Sequence, residues 1–298
     1  MLKKIVINLT PPFIIKVFKK IKNIFSDRKK HKNIKNFQLH GWYAGFDSYE
    51  EIKKKCCGYS SGEIVNKCSQ SLLKVKNGEA VYERDSVLFD KIQYSFPLLA
   101  SLSAVASKSG NRLDLIDFGG SLGSSYFQNR KALSFLDYLR WSIVEQENFV
   151  MEGIKNFQDD VLKFYYTIED CLKENKPNVI VLSSVLQYLE NPYAFLEEIM
   201  KYNFENIIFD LTGFVEGGED IPTLQIVPEI IYRADYACWF FNEEKFLRFF
   251  KDKYELVYDF DCSIGNDIEI YNYDKRAKYK GFYFAKKNAK IERIYENI

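Results

Sequence analysis

Leu113-Asp114-Leu115-Ile116-Asp117-Phe118-Gly119-Gly120-Ser121-Leu122-Gly123 is the stretch whose reading decides the fold. Leu113–Phe118 is a short apolar run closed by two glycines, the pattern of a buried strand. Ser124–Tyr138 follows with helical spacing. Glycines between a strand and a helix permit a tight turn and let a ligand approach the backbone closely.

The alternation continues downstream. Strands are expected at Trp141–Glu145, Leu162–Tyr165, Asn178–Ser183, Asn206–Leu211, Tyr254–Phe260 and Lys280–Ala285. Helices are expected at Glu147–Phe157, from Asn191-Pro192 through Met200, and from Asn242 to about Lys251. Asn191 before Pro192 suits a helix cap followed by a first-turn proline. Repeated strand–helix units predict an α/β fold with a mainly parallel sheet covered on both faces. The ending predicts one antiparallel strand, at the sheet edge. Upstream, Val81-Tyr82-Glu83-Arg84-Asp85-Ser86 precedes an apolar stretch, residues 87–106, read as helical.

The composition agrees with a globular chain. It has 298 residues, 47% of them hydrophobic, 42 Lys+Arg and 41 Asp+Glu. That excludes a disordered chain and provides a sizeable core. No apolar run is long enough to cross a bilayer as a helix. The 6 Cys include no C-x-x-C pair, and the two histidines are His31 and His40, so no metal site is expected. Scattered cysteines in a chain of this size suit a reducing, cytoplasmic setting.

The charge is uneven. Residues 1–37 hold eleven Lys/Arg and one acid, Asp27, leaving 31 basic and 40 acidic residues in the rest. After Pro11-Pro12, the residues Phe13, Ile14, Val17, Phe18, Ile21 and Phe25 recur at helical spacing among lysines. This arm reads as an amphipathic helix suited to an anionic membrane face, or to packing on the body. The organisation expected is an arm (1–37), a helical lid or extension (38–110) and a Rossmann-like domain (111–298). No RNA- or DNA-binding signature accompanies the basic cluster, so nucleic acid is not an expected partner.

Glu145 closes the second strand, 22 residues after Gly123. A carboxylate there can accept hydrogen bonds from both hydroxyls of a ribose. The glycine turn and Glu145 therefore suggest a nucleoside-containing cofactor. A Walker A loop is excluded, because no Gly-Lys-Ser/Thr follows.

Leu113–Gly123 resembles motif I of the class I S-adenosylmethionine-dependent methyltransferases, with Glu145 at that family's ribose-binding acid. Val181–Pro192 resembles the fourth strand and its following turn. Ser121 stands where the family has its middle glycine, and Gln187 where a histidine is common. Within the class, Trp42, Gly45, Gly58-Tyr59, Tyr82–Ser86, DFGGSLGSSYFQNR, Trp141 with Val144–Gln146, and Leu182–Leu189 resemble methyltransferase-like proteins of bacterial surface-polysaccharide gene clusters. The resemblance implies a seven-stranded sheet with a last antiparallel strand, and S-adenosylmethionine as cofactor. Asp117, Gly119, Gly120, Ser121 and Gly123 would support its methionine part, Glu145 its ribose, and Gln146 would lie beside it. Ser184 and Gln187 would lie near the sulfonium, and Arg84 would hold the methionine carboxylate, with Arg130 as runner-up.

Methyl transfer to an alcohol calls for a base. His40, Glu83, Asp85 and Tyr188 are the candidates, and Asp210 is a further residue that would touch substrate or cap a turn. Residues 212–241, rich in aromatics around Gly217-Gly218, suit a lid over a sugar ring or ordinary core packing. The implied acceptor is a sugar, nucleotide-sugar or lipid-linked glycan precursor, handled in the cytoplasm or at the inner membrane face. Two other readings stay open: a non-catalytic scaffold for polysaccharide assembly, and an NAD-dependent oxidoreductase sharing the glycine turn and acid.

Overall fold

The computed structural model describes residues 40–56, 62–228, 231, 234–262, 264–265 and 267–287. The basic arm, its expected amphipathic helix and membrane contact, and residues 58–61 of the upstream glycine loop lie outside the described residues.

The described chain opens with strand β1 (Gly41–Tyr43), helix α1 (Tyr49–Lys53) and helix α2 (Gly62–Lys76). Ser48 caps α1, its side chain accepting from the Glu51 N–H, as an N-cap serine should. The stretch after Val81 departs from the expected helix. It forms a hairpin of β2 (Tyr82–Arg84) and β3 (Val87–Phe89), and helix α3 begins only at Phe96 (Phe96–Lys108). The reason is the two-residue loop Asp85-Ser86, both with positive φ, 50° and 63°. That backbone is the primed turn whose twist matches a hairpin, and a short apolar run does not reveal it. Pro97 sits in the first turn of α3, where a missing N–H costs nothing.

Strand–helix alternation then follows: β4 (Arg112–Phe118), α4 (Ser124–Asn129), β5 (Tyr138–Val144), α5 (Glu147–Asn156), β6 (Leu162–Tyr165), α6 (Ile168–Glu174) and β7 (Val179–Ser183). A 3₁₀ turn at Leu186–Tyr188 leads to α7 (Pro192–Tyr202), β8 (Asn206–Val215), β9 (Ile221–Ile226), β10 (Asp235–Asn242) and α8 (Glu243–Phe250). The chain continues through β11 (Tyr254–Asp261), β12 (Ile270–Tyr271) and β13 (Ala277–Lys286). Helix α4 is shorter than expected, and α6 was not anticipated.

The principal strands run β6-β5-β4-β7-β8-β13-β11, with β6 through β8 parallel and β13 antiparallel to both neighbours. This is the expected Rossmann-like, mainly parallel seven-stranded sheet. The antiparallel strand is not at the edge: β13 is inserted between β8 and β11. Sheet interior positions are buried on both faces, which is why the strands read as continuous apolar runs. Leu113, Leu115, Val179 and Val181 point to the side covered by α2, α3 and α5, while Ile116, Ile180 and Leu182 point to the side of α7 and α8. The second face absorbs much of the aromatic content. Phe209, Phe214, Phe246, Phe250, Phe282 and Phe284 are all essentially buried, and Phe250 stacks on Phe284 at 4.5 Å. Each such ring contributes roughly 1.5–3 kcal/mol on burial.

Residues 212–241, read from sequence as a lid or as core packing, hold strand structure over much of their described part. The end of β8 pairs in parallel with β10, and β10 continues through β9 and β1 to β12. Among the described residues, no helix is long and apolar enough to cross a membrane.

Candidate functional site

Adjacent parallel strands end side by side, and their ends build one cleft. In register, Phe118 pairs with Val144, Val144 with Tyr165, and Ser183 with Asp210. The residues just beyond these ends, among them Gly119, Glu145, Tyr166 and Ser184, line a cleft of ≈ 950 Å³ together with Asp210. Carboxyl ends of parallel strands are where open α/β sheets bind ligands.

The glycine turn is held by the Gly119 N–H donating to the Val144 carbonyl at 2.9 Å. Gly119 has φ +73°, and a Cβ there would lie 2.3 Å from Val185 Cγ2. A Cβ on Gly120 would lie 2.6 Å from the Asp117 carboxyl carbon. Both glycines are therefore required by space. Ser121, at the unexpected position, has φ 54°: the serine keeps the left-handed backbone a glycine would adopt, at a cost of order 1 kcal/mol. Ser184 (φ 54°), just past the end of β7, and Leu211 (φ 50°), within β8 beside it, carry the same strain. Such strain collects where the surroundings over-determine the backbone, often at functional sites.

Five carboxyl groups line the cleft: Glu83, Asp85, Asp117, Glu145 and Asp210. Asp117 is buried and accepts from Trp141 Nε1 at 2.9 Å; desolvation raises its pKa to about 6, against the pull of that bond. Glu145 Oε2 accepts from the Gln146 N–H at 2.6 Å, and burial raises its pKa to about 7. Its hydrogen-bond partners are main-chain N–H groups, of Gln146 and Ser121. Lone pairs therefore remain beside the glycine turn, the acceptor set a ribose diol requires.

Glu83 is also buried, and desolvation raises its pKa to about 7. It accepts from the Ser124 hydroxyl and from the Ser86 N–H at 3.1 Å. It thereby ties the β2–β3 hairpin to the first turn of α4. Arg84 donates to Gln93 Oε1 at 3.2 Å and lies over the Phe89 ring. Asp85, at the hairpin tip, is open to solvent within the cleft, while the protein crowded round it raises its pKa. Asp210 is buried, its pKa raised by desolvation; it accepts from Ser183 Oγ at 3.2 Å and from the Cys262 thiol at 3.6 Å.

The opposite wall is aromatic. Tyr188 donates to Gln225 Oε1 at 3.0 Å and meets Tyr236 edge-on at 5.3 Å between centroids. Tyr49 donates to the Tyr188 carbonyl at 2.6 Å and stacks on Trp239. Trp42 and Tyr279 complete this side, their rings 6.2 Å apart.

No family model matches this chain. No curated protein matches it either. Among solved structures it is similar to a S-adenosylmethionine-dependent methyltransferase from Clostridium acetobutylicum, with 12% identity, a TM-score of 0.39, and coverage of 63% of this chain and 91% of that one. It is similar to the N-terminal domain of EvdMO1, solved with SAH and D-fucose, at 11% identity and a TM-score of 0.42, covering 69% and 90%. It is also similar to magnesium protoporphyrin IX methyltransferase from Synechocystis, at 13% identity and a TM-score of 0.40, covering 64% and 82%. With TM-scores below 0.5, these likenesses add nothing to what the strand order and the cleft say for themselves.

Of the residues singled out from sequence, Glu83, Arg84, Asp85, Asp117, Gly119, Gly120, Ser121, Glu145, Gln146, Ser184 and Tyr188 meet in the cleft. Four do not line it. His40 precedes β1, away from the cleft wall. Gly123 packs behind the turn, where a Cβ would lie 3.1 Å from Leu162. Gln187 is fully buried, and its amide donates to the Leu211 carbonyl at 3.0 Å. Arg130 lies over the Phe127 ring, outside the cleft lining.

Several cleft residues escaped sequence reading: Ser124, Gln128, Tyr49, Gln225 and Tyr279, while Tyr236 belongs to the aromatic segment read as a lid or as core. Ser124 was legible in principle, as the first residue after the glycine turn. Gln128 and Tyr49 reach the cleft from helices α4 and α1, and Gln225 and Tyr279 through the pairings of β9 and β13.

Proposed function

We propose that this protein is a S-adenosylmethionine-dependent methyltransferase acting on a sugar or glycan precursor of a bacterial surface polysaccharide. One observation carries the cofactor assignment: the carboxylate of Glu145, bonded by main-chain N–H groups, stands beside a left-handed glycine turn at the carboxyl end of a parallel sheet. The acceptor class is supported by the sequence resemblance and by the aromatic wall.

The cofactor, when bound, supplies a methyl group on a sulfonium. Glu145 accepts hydrogen bonds from the ribose hydroxyls, and Arg84 offers a guanidinium to the methionine carboxylate. The turn at Gly119–Ser121 lets the backbone approach closely, and Asp117, locked by Trp141, holds that turn in shape. Asp85 and Asp210 share the cleft with the glycine turn and the tyrosines, and in this reading one of these carboxylates takes the proton of an acceptor hydroxyl. Glu83 has both oxygens engaged by Ser124 and Ser86, so it acts by positioning the hairpin that carries Arg84 and Asp85. Tyr188 orients the acceptor through its phenol.

Calorimetric titration of S-adenosylmethionine and S-adenosylhomocysteine into the wild type and Glu145→Ala tests this reading. Micromolar binding that the substitution weakens is expected. A folded wild type that binds neither compound overturns it.

A further inference from the structure

The cleft is larger than one nucleoside cofactor needs. Its ≈ 950 Å³ lies at the upper end of the roughly 300–1,000 Å³ typical of small-molecule pockets. The half away from the glycine turn is faced by Trp42, Tyr188, Gln225, Tyr236 and Tyr279. Four of these five residues come from outside the β6-to-β8 parallel set: β1 gives Trp42, β9 Gln225, β10 Tyr236 and β13 Tyr279. Strands β1, β9 and β10 form an extension joined to the principal sheet through the end of β8.

The chemistry of this wall is aromatic and uncharged. Its groups are phenols, an indole and a carboxamide. Aromatic faces cover the C–H surface of a ring. The Gln225 carboxamide, whose oxygen accepts from Tyr188, offers its nitrogen to hydroxyl groups. The acidic groups that share the cleft with this wall are Glu83, Asp85, Asp117, Glu145 and Asp210, and desolvation raises the pKa of each. Among the described residues, the Lys and Arg side chains lining the cleft are Lys53 and Arg84. Lys53 is paired with Glu190 at 2.6 Å, and Arg84 sits on the hairpin with Gln93. A phosphate or diphosphate on this wall would meet buried carboxyl groups with no cation set aside for it, and a charge left unpaired away from water is strongly unfavourable.

We propose that this half of the cleft is the acceptor subsite and that it takes an uncharged, hydroxyl-bearing ring, excluding glycosyl phosphates and nucleotide-linked sugars. The inference deepens, and rests on, the methyltransferase reading, and it narrows the acceptors considered from sequence to the neutral ones.

Saturation-transfer NMR on the full chain, with and without S-adenosylhomocysteine, tests it. The probes are the methyl α-glycosides of glucose, galactose and N-acetylglucosamine, each against its glycosyl 1-phosphate and its UDP-sugar. Saturation of the glycoside ring protons is expected, with the phosphorylated partners at least about tenfold weaker. Tyr236→Leu should weaken the neutral probes about fivefold while leaving S-adenosylhomocysteine binding intact. Asp85→Asn should narrow the neutral-to-phosphate gap by about threefold. The proposal falls if a phosphorylated probe binds as well as its glycoside, if none of the glycosides binds, or if Asp85→Asn leaves the gap unchanged. Loss of S-adenosylhomocysteine binding alone counts against the cofactor reading, because the glycoside arm is read without it.

Discussion

Trp141 on β5 donates its indole N–H to Asp117 on β4 at 2.9 Å, and both side chains are buried. The bond joins neighbouring strands directly beneath the glycine turn. Asp117 also limits the space at Gly120, so one hydrogen bond holds the carboxylate that shapes the turn. Trp141→Phe leaves that carboxylate without its side-chain donor. Destabilisation of about 2–4 kcal/mol is expected from the lost bond and packing. A double-mutant cycle with Asp117→Asn in urea denaturation should show coupling of about 1 kcal/mol or more. Additive effects would contradict this account.

Gly120 and Gly62 separate turn geometry from general glycine effects. A Cβ at Gly120 meets Asp117 at 2.6 Å and Ile143 at 2.7 Å, whereas Gly62 has open space around it. Gly120→Ala should cost about 1–3 kcal/mol by overpacking and weaken S-adenosylhomocysteine binding. Gly62→Ala, at the start of α2, should be neutral or slightly stabilising. Thermal unfolding of the two variants beside the wild type decides the point; equal midpoints would contradict it.

The two ends of the cofactor can be read separately. Glu145→Ala should reduce affinity for S-adenosylhomocysteine and for 5′-methylthioadenosine alike, by about 10–100-fold, since both carry the ribose. Arg84→Ala should reduce only the first, because 5′-methylthioadenosine lacks the amino-acid end. Calorimetry with both ligands checks the pattern, and a uniform loss in Arg84→Ala would remove Arg84 from the carboxylate site.

Acidity offers a further handle. Burial raises Glu83 from 4.5 to about 7, so the folded state prefers its protonated form. Its contribution to stability is therefore complete below about pH 4.5 and is lost as pH rises through 7. Glu145, also raised to about 7, and Asp117, raised to about 6, act in the same direction. The ligand-free protein should gain stability between pH 8 and pH 6. Glu83→Gln should flatten that dependence and exceed the wild type at pH 8 by about 1–2 kcal/mol. Guanidinium unfolding at the two pH values measures it; an unchanged slope in Glu83→Gln would show that Glu83 is not the titrating group.

What the sequence determined by itself is what local chemistry encodes. The apolar runs at Leu113–Phe118 and Asn178–Ser183 made buried strands, the glycines at 119 and 120 made a turn, and Asn242 opened a helix. These are properties of residues a few positions apart, so their spacing carries the signal. The cleft's acidic side was legible for the same reason, since Asp117 and Glu145 end strands whose order follows from alternation. Tertiary structure alone decided the rest. Strands β1 and β12 are only three and two residues long, β9 and β10 follow no strand–helix alternation, and all four exist because partners elsewhere in the chain satisfy their backbone groups. The hairpin at Tyr82–Phe89 depends on two residues with positive φ that no composition announces, and the insertion of β13 between β8 and β11 rests on pairing across some seventy residues. His40 and Gln187 stand beside cleft residues in sequence yet do not line the cleft. Proximity along the chain says nothing about which face of a folded backbone a side chain occupies.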